Sequence, residues 1–161
     1  MAFSDDLSAL VVHDALCVGI WSGEPSPEAL ARGWAAVRAR AEHLGRPVAM
    51  LAVVPSGAPI PALADAPAIG RAVASVAPSL IAVCIVVEGH GPWVERALDV
   101  LSLLDAARIA FRPDSLPRKY VTSVGEGAAW IAAALRRSGE SGPSREEILD
   151  AVALGFAHAG P

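Results

Sequence analysis

Lysine is nearly missing from this chain: Lys119 is its one lysine, and almost all positive charge is arginine. With a net charge of −4 and no dense Lys/Arg block, nothing supplies the counterion release that drives nucleic-acid binding. Nucleic acid is therefore not an expected partner. Cysteine is as scarce, at two residues. Cys17 and Cys84 lie in apolar runs without Cys-x-x-Cys spacing or a neighbouring histidine, so buried, reduced thiols are expected and a metal is not. His13, His43 and His158 lie far apart, none at helical spacing from another ligand. Gly89-x-Gly91 is only part of a dinucleotide fingerprint, since the third glycine position falls on Val94, and no cofactor is expected. No apolar run approaches the roughly 18 residues of a membrane span, and Met1 to Asp6 carries two acids and no basic segment. The expectation is a cytoplasmic chain without a secretory signal or membrane span.

Apolar residues, in contrast, are plentiful. They make up 53% of the 161 positions against 19% charged, enough to offset ordering entropy in one domain of ordinary size. The runs Leu7–Val12 and Leu16–Trp21, joined by His13-Asp14-Ala15, predict an opening β-hairpin. Ser26-Pro27-Glu28 then starts a helix, with Leu30, Trp34, Val37, Ala41 and Leu44 on one stripe. Val48–Val54 and Leu80–Val87 predict strands buried on both faces. A helix from near Asp65 to Ala77 lies between them, delayed by the Pro/Gly-rich Ser56–Pro61. A further helix is predicted from Trp93 to about Leu104, then a short strand at Ile109–Phe111 and a loop over Arg112–Tyr120. Ser123 and Glu126 form a capping box for a helix carrying Trp130, Ile131 and Leu135. The Gly/Ser-rich Ser138–Pro143 separates a last amphipathic helix, headed by a second box at Ser144 and Glu147.

The predicted fold is thus α/β, in the order β-β-α-β-α-β-α-β-α over residues 1–137, with a linker and an additional C-terminal helix over 138–161. That order, and the closing stretch Tyr120-Val121-Thr122-Ser123-Val124-Gly125-Glu126-Gly127-Ala128-Ala129-Trp130-Ile131, resembles the SpoIIAA-like (STAS) domain family. The resemblance implies a non-enzymatic regulatory or scaffolding module working through protein contacts. Members of the anti-sigma-factor-antagonist type carry a phosphorylatable Asp-Ser-Ser/Thr-Gly after the middle strand. Here that place reads Val54-Pro55-Ser56-Gly57, without the acid, and Pro59 and Pro61 move the next helix away from the serine. Because the family is often grouped with lipid-binding domains, binding of a small apolar ligand is a second expectation.

Ligands of open parallel sheets gather at the carboxyl ends of the strands, which singles out Ser56, Gly57, Glu88 and His90 as binding candidates, with Trp93 beside them. Ser56 and His90 also raise a third reading, a hydrolase, although no Gly-x-Ser-x-Gly elbow accompanies the serine. Trp93, Val100 and Leu103 widen the apolar face of their helix beyond one sheet contact. Either a partner or second copy covers that patch, or the C-terminal helix does. Arg112, Arg118 and Lys119 form a candidate basic surface for an acidic partner, against the plainer reading of a solvated loop.

Overall fold

The computed structural model describes residues 2–5, 8–23, 26–111, 116–139 and 141–159. Strands β2 (Ser8–His13) and β3 (Leu16–Trp21) form the expected hairpin, pairing His13 with Leu16. Asp14 takes the left-handed backbone the tight turn needs, at φ 47°, a conformation Asp tolerates better than most residues. Arg46 Nη2 donates to Asp14 Oδ1 at 3.1 Å and Arg40 Nε donates to the Asp14 carbonyl at 3.0 Å, tying the turn to the first helix. That helix, α1 (Pro27–Leu44), starts where Ser26 Oγ accepts from the Ala29 N–H at 3.1 Å and stops at left-handed Gly45.

The alternation continues with β4 (Val48–Val54), α2 (Ala66–Val76, flanked by single 3-10 turns), β5 (Leu80–Val87), α3 (Pro92–Phe111), β6 (Arg118–Val121), α4 (Val124–Arg137) and α5 (Arg145–Ala159). A short strand β1 (Ala2–Asp5) precedes them all, antiparallel to β2. The chain therefore opens β-β-β rather than as the lone hairpin that the sequence suggests, because four residues are too few to show a readable alternation.

Two further expectations are corrected. Ile109–Phe111 is not a strand but the last turn of α3, which runs on seven residues past Leu104 as one helix of 20 residues. The last strand is instead Arg118–Val121, taken for part of a loop because charged Arg118 and Lys119 mask its alternation; an edge strand accepts such charges readily. Arg112 lies outside the described residues.

The sheet is mixed, six strands in the order β1-β2-β3-β4-β5-β6, with β3 to β6 parallel. Strictly sequential order has a geometric consequence. Crossovers between parallel strands are right-handed, so α1, α2 and α3, stepping in one direction, all come down on one face. The opposite face would stay bare without α4 and α5. There α4 packs on β4, β5 and β6, while α5 packs on β1, β2, β3 and α4. The last helix thus covers the half of the sheet nearest the hairpin, and not the Trp93, Val100 and Leu103 side of α3.

The α4/α5 face is close-packed. Val18, Ile20, Leu51, Val53 and Val86 meet Ile131, Leu135, Ile148 and Val152 in one buried cluster. Glycines set the spacing: a Cβ on Gly127 would stand 2.8 Å from Val86 Cγ2 and 3.1 Å from Leu51 Cδ1, and one on Gly155 2.8 Å from Ile20 Cγ1. At Ser144 the expected capping box is made reciprocally, the Glu147 N–H donating to Ser144 Oγ at 3.2 Å and the Ser144 N–H to Glu147 Oε2 at 2.7 Å. At Ser123 it is not. That side chain makes no cap bond, and Glu126 is drawn instead to Lys119, whose Nζ lies 2.8 Å away.

Candidate functional site

The face carrying α1, α2 and α3 is built differently. Here α2 packs more extensively on α1 and α3 than on the sheet, and α3 touches β5 sparingly. The helices arch over the carboxyl-terminal half of the parallel strands and leave a cavity of about 110 Å³. For scale, an engineered apolar cavity of ~150 Å³ stays dry and takes up benzene.

Each wall follows from the periodicity of its element. The floor comes from alternate residues of four strands, Trp21 of β3, Ala52 and Val54 of β4, Val83 and Ile85 of β5, and Arg118 and Tyr120 of β6. The roof comes from helical i, i+4 stripes: Leu30 and Trp34 of α1, Ile69 and Val73 of α2, and Ala97, Leu101 and Asp105 of α3, with Leu104 beside them. Pro59, Ile60 and Pro61 line it as well, so the segment that delays α2 is itself a wall. Small residues make the room. Ala52 and Ala97 are both buried, and a Leu at either place would project three further carbons toward the space.

Trp21 lies beside two glycines. A Cβ on Gly19 would lie 3.1 Å from Trp21 Nε1, and one on Gly33 3.1 Å from Trp21 Cη2, so the ring passes close to β3 and α1 where neither backbone carries a side chain, with the cavity beside it. Trp34, only 8% exposed, has its indole Nε1–H buried without a hydrogen-bond partner among the described residues. An unmade bond of that kind costs on the order of 1–3 kcal/mol, which close-packed cores avoid.

One corner of the cavity is polar. Arg118 Nη1 lies 3.2 Å from Asp105 Oδ1, the two side chains being 11% and 22% exposed, and Tyr120 stands two residues along the same face of β6. Neither Arg118 nor Lys119 therefore belongs to an open basic loop. Arg118 is turned to the cavity face and paired with Asp105, and Lys119 to the opposite face and paired with Glu126.

Ser56, Gly57 and His90 are exposed at the carboxyl ends of β4 and β5, and Glu88 is half-buried there. The two loops touch: a Cβ on Gly89 would lie 2.8 Å from Ser56 Oγ, and the Glu88 N–H donates to the Val54 carbonyl at 3.0 Å. Among the described residues no hydrogen bond joins Ser56 to His90. None of these four lines the cavity. A sequentially ordered sheet has no reversal of strand order at which a carboxyl-edge crevice would open, and the space lies under the crossovers instead. Trp93 packs with Val87, Val94 and Ala97 in the α3–β5 cluster, Val100 is half-buried, and Leu103 is 53% exposed.

Both cysteines are buried. Cys17 sits on the cavity face and Cys84 on the other, and burial pushes each thiol up to about 12, opposed at Cys17 by Arg40 and at Cys84 by Lys119, with Glu126 adding to the rise. Neither supplies a thiolate near neutral pH. No group of three or more metal-ligating side chains occurs among the described residues, and no described helix is long and apolar enough to cross a membrane. No known protein family, curated protein or solved structure matches this chain.

The cavity residues were partly within reach of sequence reading. Trp34 stood out as a core residue, and Ala52, Val54, Val83 and Ile85 were inside predicted buried strands. What sequence lacks is the strand order that puts them on one face beside Ala97 and Asp105.

Proposed function

We propose that this chain binds a small, largely apolar molecule in the cavity between the sheet and helices α1 to α3. The observation that carries the reading is a cavity of about 110 Å³ with an almost wholly apolar lining, contributed by the sheet, by α1, α2 and α3 and by Pro59, Ile60 and Pro61. Small-molecule sites are commonly apolar hollows with a few convergent polar groups, and the corner formed by Asp105, Arg118 and Tyr120 has that character. The likeness to SpoIIAA-like domains, with the lipid-binding domains grouped beside them, supports the same direction as a resemblance of pattern.

The test uses butylbenzene as the probe. Trp21 and Trp34 both line the cavity, so saturable binding changes tryptophan emission and raises the melting temperature with probe concentration. Mass spectrometry of an organic extract of the freshly purified protein then looks for the natural occupant. No saturable binding of butylbenzene, together with an empty extract, contradicts the proposal.

A second reading, a module acting through protein contacts, is favoured by Leu103, which stays 53% exposed on α3 where α5 does not reach. Light scattering over a range of concentrations tests whether that patch self-associates. A strictly monomeric protein whose partner-binding is unchanged by Leu103→Glu would remove this reading.

A further inference from the structure

Resting on the reading of the cavity as an apolar-ligand site, we infer that its ligand is a hydrocarbon over the whole length held there, and that the site rejects polar isosteres because its walls offer them no hydrogen-bond partner.

The backbone of the walls is already engaged. Ala52, Val83 and Ile85 each pair with a strand on both sides, so their peptide groups lie in the plane of the sheet and not toward the space. The Val54 carbonyl accepts from the Glu88 N–H at 3.0 Å. The peptide groups of α1, α2 and α3 bond along their own helices. Pro59 and Pro61, in the remaining wall, carry no N–H at all.

The side chains leave as little. Those with polar atoms are Trp21, Trp34, Asp105, Arg118 and Tyr120. Trp21 Nε1 lies over Gly19 of its own strand, which is not a wall of the cavity. Trp34 Nε1 is buried in the protein rather than open to the space, so an occupant does not reach it. Arg118 Nη1 lies 3.2 Å from Asp105 Oδ1, and Asp105, Arg118 and Tyr120 each hold a further interaction. All other lining residues are Leu, Ile, Val, Ala, Pro or Gly. A carbonyl or N–H in the middle of a ligand would therefore give up its water and find no partner. Carbon in the same place carries no such cost and adds to the apolar area buried.

Three probes of one outline separate the possibilities on the full-length chain at pH 7: butylbenzene, butyrophenone, with a carbonyl acceptor beside the ring, and N-propylaniline, with an N–H donor there. Calorimetric titration is expected to place butylbenzene at least about 10-fold above either isostere. Val83 lies on β5, between two other strands of the floor, and Val83→Thr keeps its branched outline while adding one hydroxyl. That hydroxyl both donates and accepts, so the gap is expected to narrow by at least about 3-fold.

If either isostere binds wild type as tightly as butylbenzene, or more tightly, the inference is overturned while the apolar-ligand reading stands. Ratios left unchanged in a folded Val83→Thr would overturn it too, since the rejection would not then come from missing partners. If none of the three binds wild type, both fall. Should Val83→Thr not fold or bind no probe, the wild-type ranking still decides the matter.

Discussion

On one face of the sheet, Gly127 and Gly155 let α4 and α5 down until a single added methyl group would overlap Val86 or Ile20. On the other, α1, α2 and α3 lean on one another, and although Trp34, Val37 and Val76 pack in one cluster with Ala52 and Val83, a cavity remains beside Ala52, Val83 and Ile85. Both faces belong to the same strands. The difference comes from topology and from where the small residues fall. Three successive right-handed crossovers must share one face, each tied to its own pair of strands, and they arch over it. The later helices have no such tie and settle wherever glycine allows the closest approach. Glycine in a helix brings backbone nearer to the sheet on the closed face, whereas alanine beneath arched helices leaves space on the cavity face.

Identical substitutions on the two faces should therefore differ in sign, and this is the largest effect expected. Gly127→Ala would bring Cβ to 2.8 Å from Val86 in a packed cluster, and overpacking of that kind costs about 1–3 kcal/mol. Gly33→Ala on α1 meets only the edge of the Trp21 ring, at 3.1 Å, and that ring borders the cavity and has room to shift. With the helix propensity of alanine in its favour, the second change should be neutral or stabilising by up to about 1 kcal/mol. Urea denaturation of both variants checks this, and equal losses at the two sites would break the distinction between the faces.

A smaller effect sharpens the closed side. Ser144→Ala removes the hydroxyl that caps α5 and should cost about 1 kcal/mol of stability, read as earlier amide exchange in α5 than in α4. The partner in this box adds a dependence on acidity. The backbone N–H and hydroxyl of Ser144 hold the Glu147 carboxyl below its ordinary 4.5. The folded state therefore binds this proton less readily than the unfolded chain, so the stabilisation is present above pH 4.5 and disappears as pH falls below it. The deficit of Ser144→Ala should shrink over that acid range. A deficit that does not change with pH would mean that the Ser144 hydroxyl does not act on the Glu147 carboxyl, whose bond from the backbone N–H survives the substitution.

How far the chain could be read in advance follows the same division. The hairpin, both central strands, the starts of α1 and α5 and the buried thiols were legible, because each depends on neighbours close in sequence: Ser26 with Ala29, Ser144 with Glu147, the proline-bounded Val48–Val54. Strand β6 was not, because Arg118 and Lys119 look like loop charges until one points to Asp105 across one face and the other to Glu126 across the opposite face. The cavity was not either. Its floor and roof depend on the four parallel strands β3 to β6 lying in sequential order, a long-range property, and the space itself is marked by small side chains that resemble any other alanine in an alanine-rich chain. Ser56 and His90 lie at strand termini where ligands gather in sheets whose order reverses, and the order of this sheet does not reverse.

The most direct test of the account is a titration of butylbenzene into wild type and into Ala97→Leu, followed by tryptophan emission and melting temperature. Ala97 is 1% exposed and faces the cavity, so leucine there should fill the space, keep the fold, and abolish saturable binding that the wild type shows. Binding of equal affinity in both proteins, or in neither, would contradict the claim that the face under α1 to α3 is a ligand site.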